Sequence, residues 1–324
     1  MTGQIDQSIA DKSPPTVDHY PPDRMRTVLA ATALALTAAV SACGANAAPK
    51  PEPAAAKPKT AFHPCGHASA AAPRRYDHVV WVVMENKSYS DLTGGSPDSA
   101  FHRAIGAACG AATNFHAETH PSLPNYIAMT SGSTHGIKDD ADPSSHRLKG
   151  PSIFSQLGSH WRALQESMPR NCARTGSGLY APKHNPAAYY TSIASACAKQ
   201  DVKLGRTPDL SARFTFITPN LCHDAHSCPV RTGDRYLASL VPKLTGSAEY
   251  KSGDTAIFIT YDEDDGSGSN HIPTLVIAPQ IKPGLRTNRR FTHYSLLRTT
   301  EDMLGLKHLG AARKAPSMRA AFGL

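Results

Sequence analysis

Four stretches of the chain are continuously apolar and β-branched, each for about one strand's length. They are HVVWVVMEN (His78 to Asn86), RFTFITPN (Arg213 to Asn220), TAIFITYDEDDG (Thr255 to Gly266) and PTLVIAP (Pro273 to Pro279). Unbroken apolar runs, as opposed to alternating ones, mark strands covered on both faces. Between and after them, residues at helical spacing predict helices over Pro124 to Thr130, Ile153 to Met168, Gly233 to Leu244 and Tyr294 to Leu304. Strands alternating with helices predict an α/β domain with a largely parallel sheet. No internal repeat is visible.

Three of these strands run directly into polar side chains at their carboxyl ends. The first delivers Glu85 and Asn86, the second Asn220 followed by His223, Asp224 and His226, and the third Asp262, Glu263, Asp264 and Asp265. In open α/β sheets the ligand site lies beyond the carboxyl ends of the strands. Carboxylates gathered there repel one another unless a cation neutralises them. The oxygen donors Glu85, Asn86, Asp262 and Glu263 favour a hard divalent ion such as calcium, magnesium or manganese, while nearby histidines keep zinc or iron open. Read alone, DEDDG is equally well a solvated acidic turn. The apolar strand leading into it, and the matching carboxylate after the first strand, turn the reading toward a site. His120, His184, His226 and His271 are the imidazoles expected to join it, binding phosphate oxygens or protonating a leaving alkoxide.

The stretch ETHPSLPNY (Glu118 to Tyr126) sets Ser122 between two prolines where a helix can begin. A serine there is commonly only a cap. It also has the positive end of the helix and free backbone N–H groups nearby, which suits a hydroxyl that attacks or holds an anion. No G-x-S-x-G elbow and no G-x-x-x-x-G-K-[ST] loop occurs, so the usual α/β-hydrolase serine and P-loop nucleotide chemistry are excluded. A serine, a metal and basic groups together suit phosphoryl transfer.

Composition adds location and partners. The 324 residues carry a net charge of +8, 40% hydrophobic and 19% charged residues. That fits an anionic substrate, but no Lys/Arg run is dense enough for nucleic acid. TVLAATALALTAAVSAC (Thr27 to Cys43) is uncharged and follows Arg24 and Arg26, as a secretory leader does. Residues 1–43 are therefore expected to be a leader, with Met25 as a second candidate start. VSAC reads as a lipobox that would place a lipid on Cys43, whereas ANA (Ala45 to Ala47) would release the protein. Either route implies export, to the cell envelope or the exterior. Residues 44–75, rich in Ala, Pro and Lys, read as a tether, and 76–324 as one catalytic domain. Six cysteines remain, and an even number in an exported protein argues for disulfides. Of 15 pairings, Cys65–Cys109, Cys172–Cys197 and Cys222–Cys228 close the shortest loops and are expected.

Seven ordered stretches resemble the motifs of the bacterial phosphoesterase family, which holds secreted acid phosphatases and non-specific phospholipases C. They are HVVWVVMENKSYSDL, ETHPSLPNYIAMTSG, YAPKHNPAAYY, FITPNLCHDAHSC, GDRYLASLVPKL, ITYDEDDGSGSNHIPTLVIAP and THYSLLRTTEDMLGL, from about Tyr76 to Leu309. The resemblance is greatest to small secreted acid phosphatases acting on phosphoinositides and other monoesters. It implies a three-layer α/β/α fold like that of alkaline phosphatase. It further implies metal ligation by Glu85, Asn86, Ser122, Asp262 and Glu263, with Ser122 as nucleophile. A second metal of the wider superfamily would fall near Asn220, Asp224, His226 and His271. Asparagine there, and no Asp-His pair, lead us to expect one metal and histidines that contact phosphate. His226, with Asp224, matches the family's P-N…D-x-H motif and is the expected general acid. Lys183 and His184 of KHNP, with His120 and His271, are the expected phosphate contacts.

The reading is thus an exported, monomeric, metal-dependent phosphomonoesterase acting through a phosphoserine. Its substrate is a phosphorylated small molecule or a phospholipid headgroup, and it meets a membrane only through its anchor or its substrate. Phospholipase C-type diester cleavage is the alternative within the family, disfavoured by the short stretch after the last motif. A non-catalytic anion- or metal-binding lipoprotein is the alternative outside it.

Overall fold

The computed structural model describes residues 62–67 and 72–324. The expected leader, the lipid site at Cys43 and most of the tether lie outside the described residues. Among the described residues nine strands form one sheet: β1 His78–Met84, β2 Gly110–His116, β3 Trp161–Gln165, β4 Asp201–Lys203, β5 Phe214–Thr218, β6 Thr255–Tyr261, β7 His271–Ile277, β8 Leu285–Thr287 and β9 Phe291–Thr292. Their order is β4-β3-β5-β1-β6-β7-β2-β8, with β9 paired to β2. β7 alone runs against its neighbours β6 and β2, and every other pairing is parallel. The helices are α1 Tyr89–Thr93, α2 Ala100–Ala108, α3 Ser122–Ser131, α4 Ile153–Leu157, α5 Ala194–Gln200, α6 Val230–Thr245, α7 Ala248–Lys251, α8 His293–Leu304 and α9 Arg319–Phe322.

Strand parity shows how the layers are arranged. Successive side chains on a strand point to opposite faces. On β1, the Trp81 indole donates to Thr300 Oγ1 of α8 at 3.0 Å. Met84, three residues on and so on the other face, lies against Gly233 of α6, where a Cβ would come within 3.1 Å of the Met84 methyl. Helices therefore cover both faces, which is why Val79 to Met84 are fully buried and the run is apolar without alternation. This is a three-layer α/β/α architecture. Gly132 ends α3 at φ 76°, and a Cβ there would lie 2.4 Å from the Leu309 carbonyl oxygen, so only glycine fits.

The helix expected over Ile153 to Met168 is corrected. Only Ile153–Leu157 is helical; Gly158 takes φ 62°, and Trp161–Gln165 forms β3 beside β5. An apolar set of that length satisfies either period, and pairing with Phe214 to Thr218 decided it. β2, GAATNFH, was not anticipated, because its alanines, threonine and asparagine carry no strand pattern.

Three disulfides join Cys65–Cys109, Cys172–Cys197 and Cys222–Cys228. The first, with Gly66 and His67 N–H groups donating to the Pro279 carbonyl, holds residues 62–67 to the body. Among the described residues no helix is long and apolar enough to cross a membrane.

Glu301 is buried on α8. One of its oxygens accepts from the Leu309 N–H at 2.9 Å and the other has no partner. Burial pushes its carboxyl pKa from an ordinary 4.5 up to about 8. The fold thus prefers the neutral acid, while an unfolded chain ionises it above its ordinary value. Stability from this site is complete below that value and is lost as pH rises through about 8. Glu301→Gln should therefore shrink the fall in Tm between about pH 5 and about pH 8 relative to wild type. An equal fall in both proteins would contradict this.

Candidate active site

The parallel register of β1 and β6 pairs Met84 with Tyr261, so the next residues, Glu85 and Asp262, emerge side by side. The ladder continues past the strand ends: Asp262 N–H donates to the Met84 carbonyl (3.0 Å), and Glu85 N–H to the Asp224 carbonyl (2.9 Å). The three expected strand ends therefore meet at one rim. Asn86 adopts φ 43°, an uncommon conformation for a non-glycine residue, and turns its amide to donate to Glu263 Oε1 at 2.8 Å.

Ser122 is the first residue of α3, with Pro121 before it as the cap position. Its hydroxyl lies 3.2 Å from Glu85 Oε2 and 3.3 Å from Glu263 Oε1. Asn125 fixes the approach to the helix: its carbonyl accepts from the Glu118 and Thr119 N–H groups, and its amide donates to the Thr119 and Pro121 carbonyls. The free backbone N–H groups expected beside Ser122 are fewer than supposed. Pro121 and Pro124 have none, and the Leu123 N–H donates to Asp140 Oδ1 at 2.9 Å.

Electrostatically the rim is unbalanced. Burial, with the Asp262 and Asp224 charges beside it, holds Glu85 well above the usual carboxylate range. Burial likewise pushes Asp262 up to about 6, Asp224 up to about 7 and Glu263 up to about 8. Asn86 Oδ1, Asp262 Oδ2, Asp224 Oδ2 and His184 Nε2 are buried without a hydrogen-bond partner. Buried acceptors left unpaired among crowded carboxylates are what a bound cation would relieve. The residues present therefore fit a divalent metal. Glu85, His184 and Asp224 additionally offer three ligand atoms within 4.8 Å of one another.

The histidines divide. His184, expected at the phosphate, is turned into the carboxylates instead, 3.2 Å from Glu85 Oε2 and 3.4 Å from Asp224 Oδ2. Burial, and then Lys183, hold its imidazole well below its usual range, which favours the neutral form. His120 lies 2.7 Å from Glu263 Oε2 and 3.2 Å from Asp264 Oδ1. His226 is exposed, its Nε2 3.5 Å from Lys183 Nζ, and its N–H donates to Asp224 Oδ1 at 2.7 Å. His271 is not brought in: its ring stacks between Tyr89 and His116, and its Nε2 meets the Thr113 carbonyl at 3.1 Å. Asn220 turns away as well, donating to Ser167 Oγ.

Three contributors were missed in the sequence. The Tyr126 hydroxyl donates to Glu85 Oε1, His293 Nε2 meets the Asp262 carbonyl at 2.7 Å, and Asp140 contacts Leu123 and Lys183. Tyr126 sits in the same PSLPNY stretch as Ser122, one helical turn on, and that spacing could have revealed it.

The phosphoesterase family model matches residues 100–307. A phosphatidylinositol-3-phosphatase of Mycobacterium tuberculosis is 30% identical over 265 residues, 80% of this chain and 86% of that protein. An acid phosphatase of Aspergillus fumigatus is 28% identical over 223 residues, and a phosphate-repressible acid phosphatase of Penicillium chrysogenum 29% identical over 221. The chain spans about half the length of these two fungal proteins. The fold is shared with a protein of the alkaline phosphatase superfamily from Vibrio parahaemolyticus, with TM-score 0.50, 15% identity and coverage of 78% of this chain and 73% of that one. It is shared also with a 2-O GAG sulfatase, with TM-score 0.52, 11% identity and coverage of 77% and 74%.

Because a ligand that binds only the folded state stabilises it, manganese or zinc added to chelator-stripped protein should raise Tm. At a hundredfold excess over Kd the gain is about 2.7 kcal/mol. Asp262→Asn should remove most of that rise. A Tm indifferent to divalent ions would contradict the fit.

Proposed function

The chain belongs to the phosphoesterase family, hydrolases of phosphoric esters, and on that premise we propose that it is an exported, metal-dependent phosphomonoesterase of the acid phosphatase type. The observation that carries this is the Ser122 hydroxyl, held at a helix start within 3.3 Å of two buried carboxylates from different strands. Glu85, Asn86, Ser122, Asp262 and Glu263 would hold the metal, an oxygen-rich set that favours a hard divalent ion, with His184 adding an imidazole that keeps zinc or iron open. When bound, such an ion neutralises the carboxylates, acidifies a neighbouring hydroxyl and offsets charge on phosphoryl oxygens.

The chain's own groups then divide the work. Ser122 Oγ passes its proton to Glu85, 3.2 Å away, and forms the bond to phosphorus as the ester oxygen departs. His226, exposed at the rim and steered by Asp224 through its backbone N–H, hands that oxygen a proton. Water, losing a proton to His226, then adds to phosphorus; the serine oxygen leaves, takes back its proton from Glu85, and phosphate is released. Lys183 offers its ammonium to the phosphoryl oxygens. Similarity to the mycobacterial phosphatase supports phosphoinositide headgroups as candidate substrates. Export is supported by the apolar leader sequence and by three disulfides.

The test is an assay of p-nitrophenyl phosphate against p-nitrophenyl phosphocholine, with and without EDTA, for wild type and Ser122→Ala. The monoester should be preferred, EDTA should abolish turnover, and Ser122→Ala should lose at least about a thousandfold. Full activity in that variant would remove the nucleophile, and preference for the phosphocholine ester would favour the phospholipase C reading.

A further inference from the structure

Asp140 lies in the loop after α3, in the run KDDAD, and no motif singles it out. Its two oxygens do different things. Oδ1 accepts the N–H of Leu123, the residue after Ser122, at 2.9 Å. Oδ2 accepts from the Lys183 ammonium at 2.8 Å. Lys183 Nζ in turn lies 3.5 Å from His226 Nε2. One carboxylate thus ties the start of the serine's helix to the cation and, through it, to the exposed imidazole.

Two physical points give this bridge a purpose. A lysine is a point charge on a flexible four-carbon stem, so its position must be imposed from outside. The helix start that would otherwise offer backbone N–H groups to an anion is nearly bare, with two prolines and the Leu123 N–H already taken. The phosphoryl oxygens then depend on side-chain cations. Of the three ammonium donors of Lys183, one is spent on Asp140 and at least one stays free for a phosphoryl oxygen.

Resting on the reading of Ser122 as nucleophile, we propose that Asp140 is a positioning residue. It fixes the Lys183 ammonium relative to the Ser122 hydroxyl, so that nucleophile and phosphate-holding cation form one rigid unit. Asp140 itself touches neither substrate nor reacting atoms.

Asparagine caps helix starts about as well as aspartate. Asp140→Asn should therefore keep the Leu123 contact and the Tm while removing the anionic partner of Lys183. Asp140→Ala removes both. In the full-length protein, kcat/KM for p-nitrophenyl phosphate should fall about tenfold or more in Asp140→Asn, and the inhibition constant of inorganic phosphate should weaken several-fold. Lys183→Ala should be at least as impaired. The double variant Asp140→Asn/Lys183→Ala should be no worse than Lys183→Ala alone, because the first residue acts through the second. Multiplying losses in the double variant would overturn the proposal. So would an Asp140→Asn enzyme within twofold of wild type in both readouts, or one whose loss is matched by a Tm as low as that of Asp140→Ala. Ser122→Ala separates the two levels: an active Ser122→Ala enzyme defeats the underlying reading, whereas an inactive one beside an unimpaired Asp140→Asn defeats only this inference.

Discussion

Four carboxyl groups, Glu85, Asp224, Asp262 and Glu263, share one rim of the sheet while almost wholly withdrawn from water. Burying like charges together is expensive, and proteins meet that expense by protonation, hydrogen bonding or a cation. Here all three are provided for. Burial raises all four pKa values, favouring the protonated forms. The Tyr126 hydroxyl, the Asn86 amide and the Ser122 hydroxyl donate to Glu85 and Glu263. Unpaired acceptors remain for an ion.

The rest of the fold keeps that crowd in register. β1 and β6 are covered on both faces, so their ends cannot slide without exposing apolar surface, and Glu85 and Asp262 stay adjacent. The loop from Asn220 to Pro229 carries Asp224 and His226 and has no strand of its own. Its rigidity comes from the Cys222–Cys228 bridge, which closes a separation of only 6 residues, and from the Asp224 N–H donating to the Asn220 carbonyl at 2.8 Å. Asn125 does the same work for the segment leading into Ser122. Loop ends on a stiff sheet are where precise chemistry is usually placed.

Basic and acidic groups meet at this rim in a graded way. His184 is buried against the carboxylates, whereas His226 is exposed and Lys183 lies half-buried beside it. The inner ring suits a cation and the outer ring an anionic ester, which is the order a metal-assisted phosphatase needs. His271, by contrast, spends its ring on stacking with Tyr89 and His116, and its backbone lies on the one reversed strand.

Local pattern alone determined much of this. Unbroken β-branched runs announced β1, β5, β6 and β7, and polar residues immediately after three of them pointed to a shared rim, because in an open α/β sheet the carboxyl ends of parallel strands lie together. The cysteine pairing expected from the shortest loops, one of 15, is the one the structure has. Pattern could not separate Ile153–Leu157 from Trp161–Gln165, since a short apolar set fits either period until a partner strand chooses. Nor could it find Asp140 or His293, or turn His184 inward and His271 aside. Those assignments depend on which side chain a distant backbone happens to face, and chain order carries no record of direction in space. Only the packing of α3, α8 and the loops around residues 140 and 184 against the strand ends decided them.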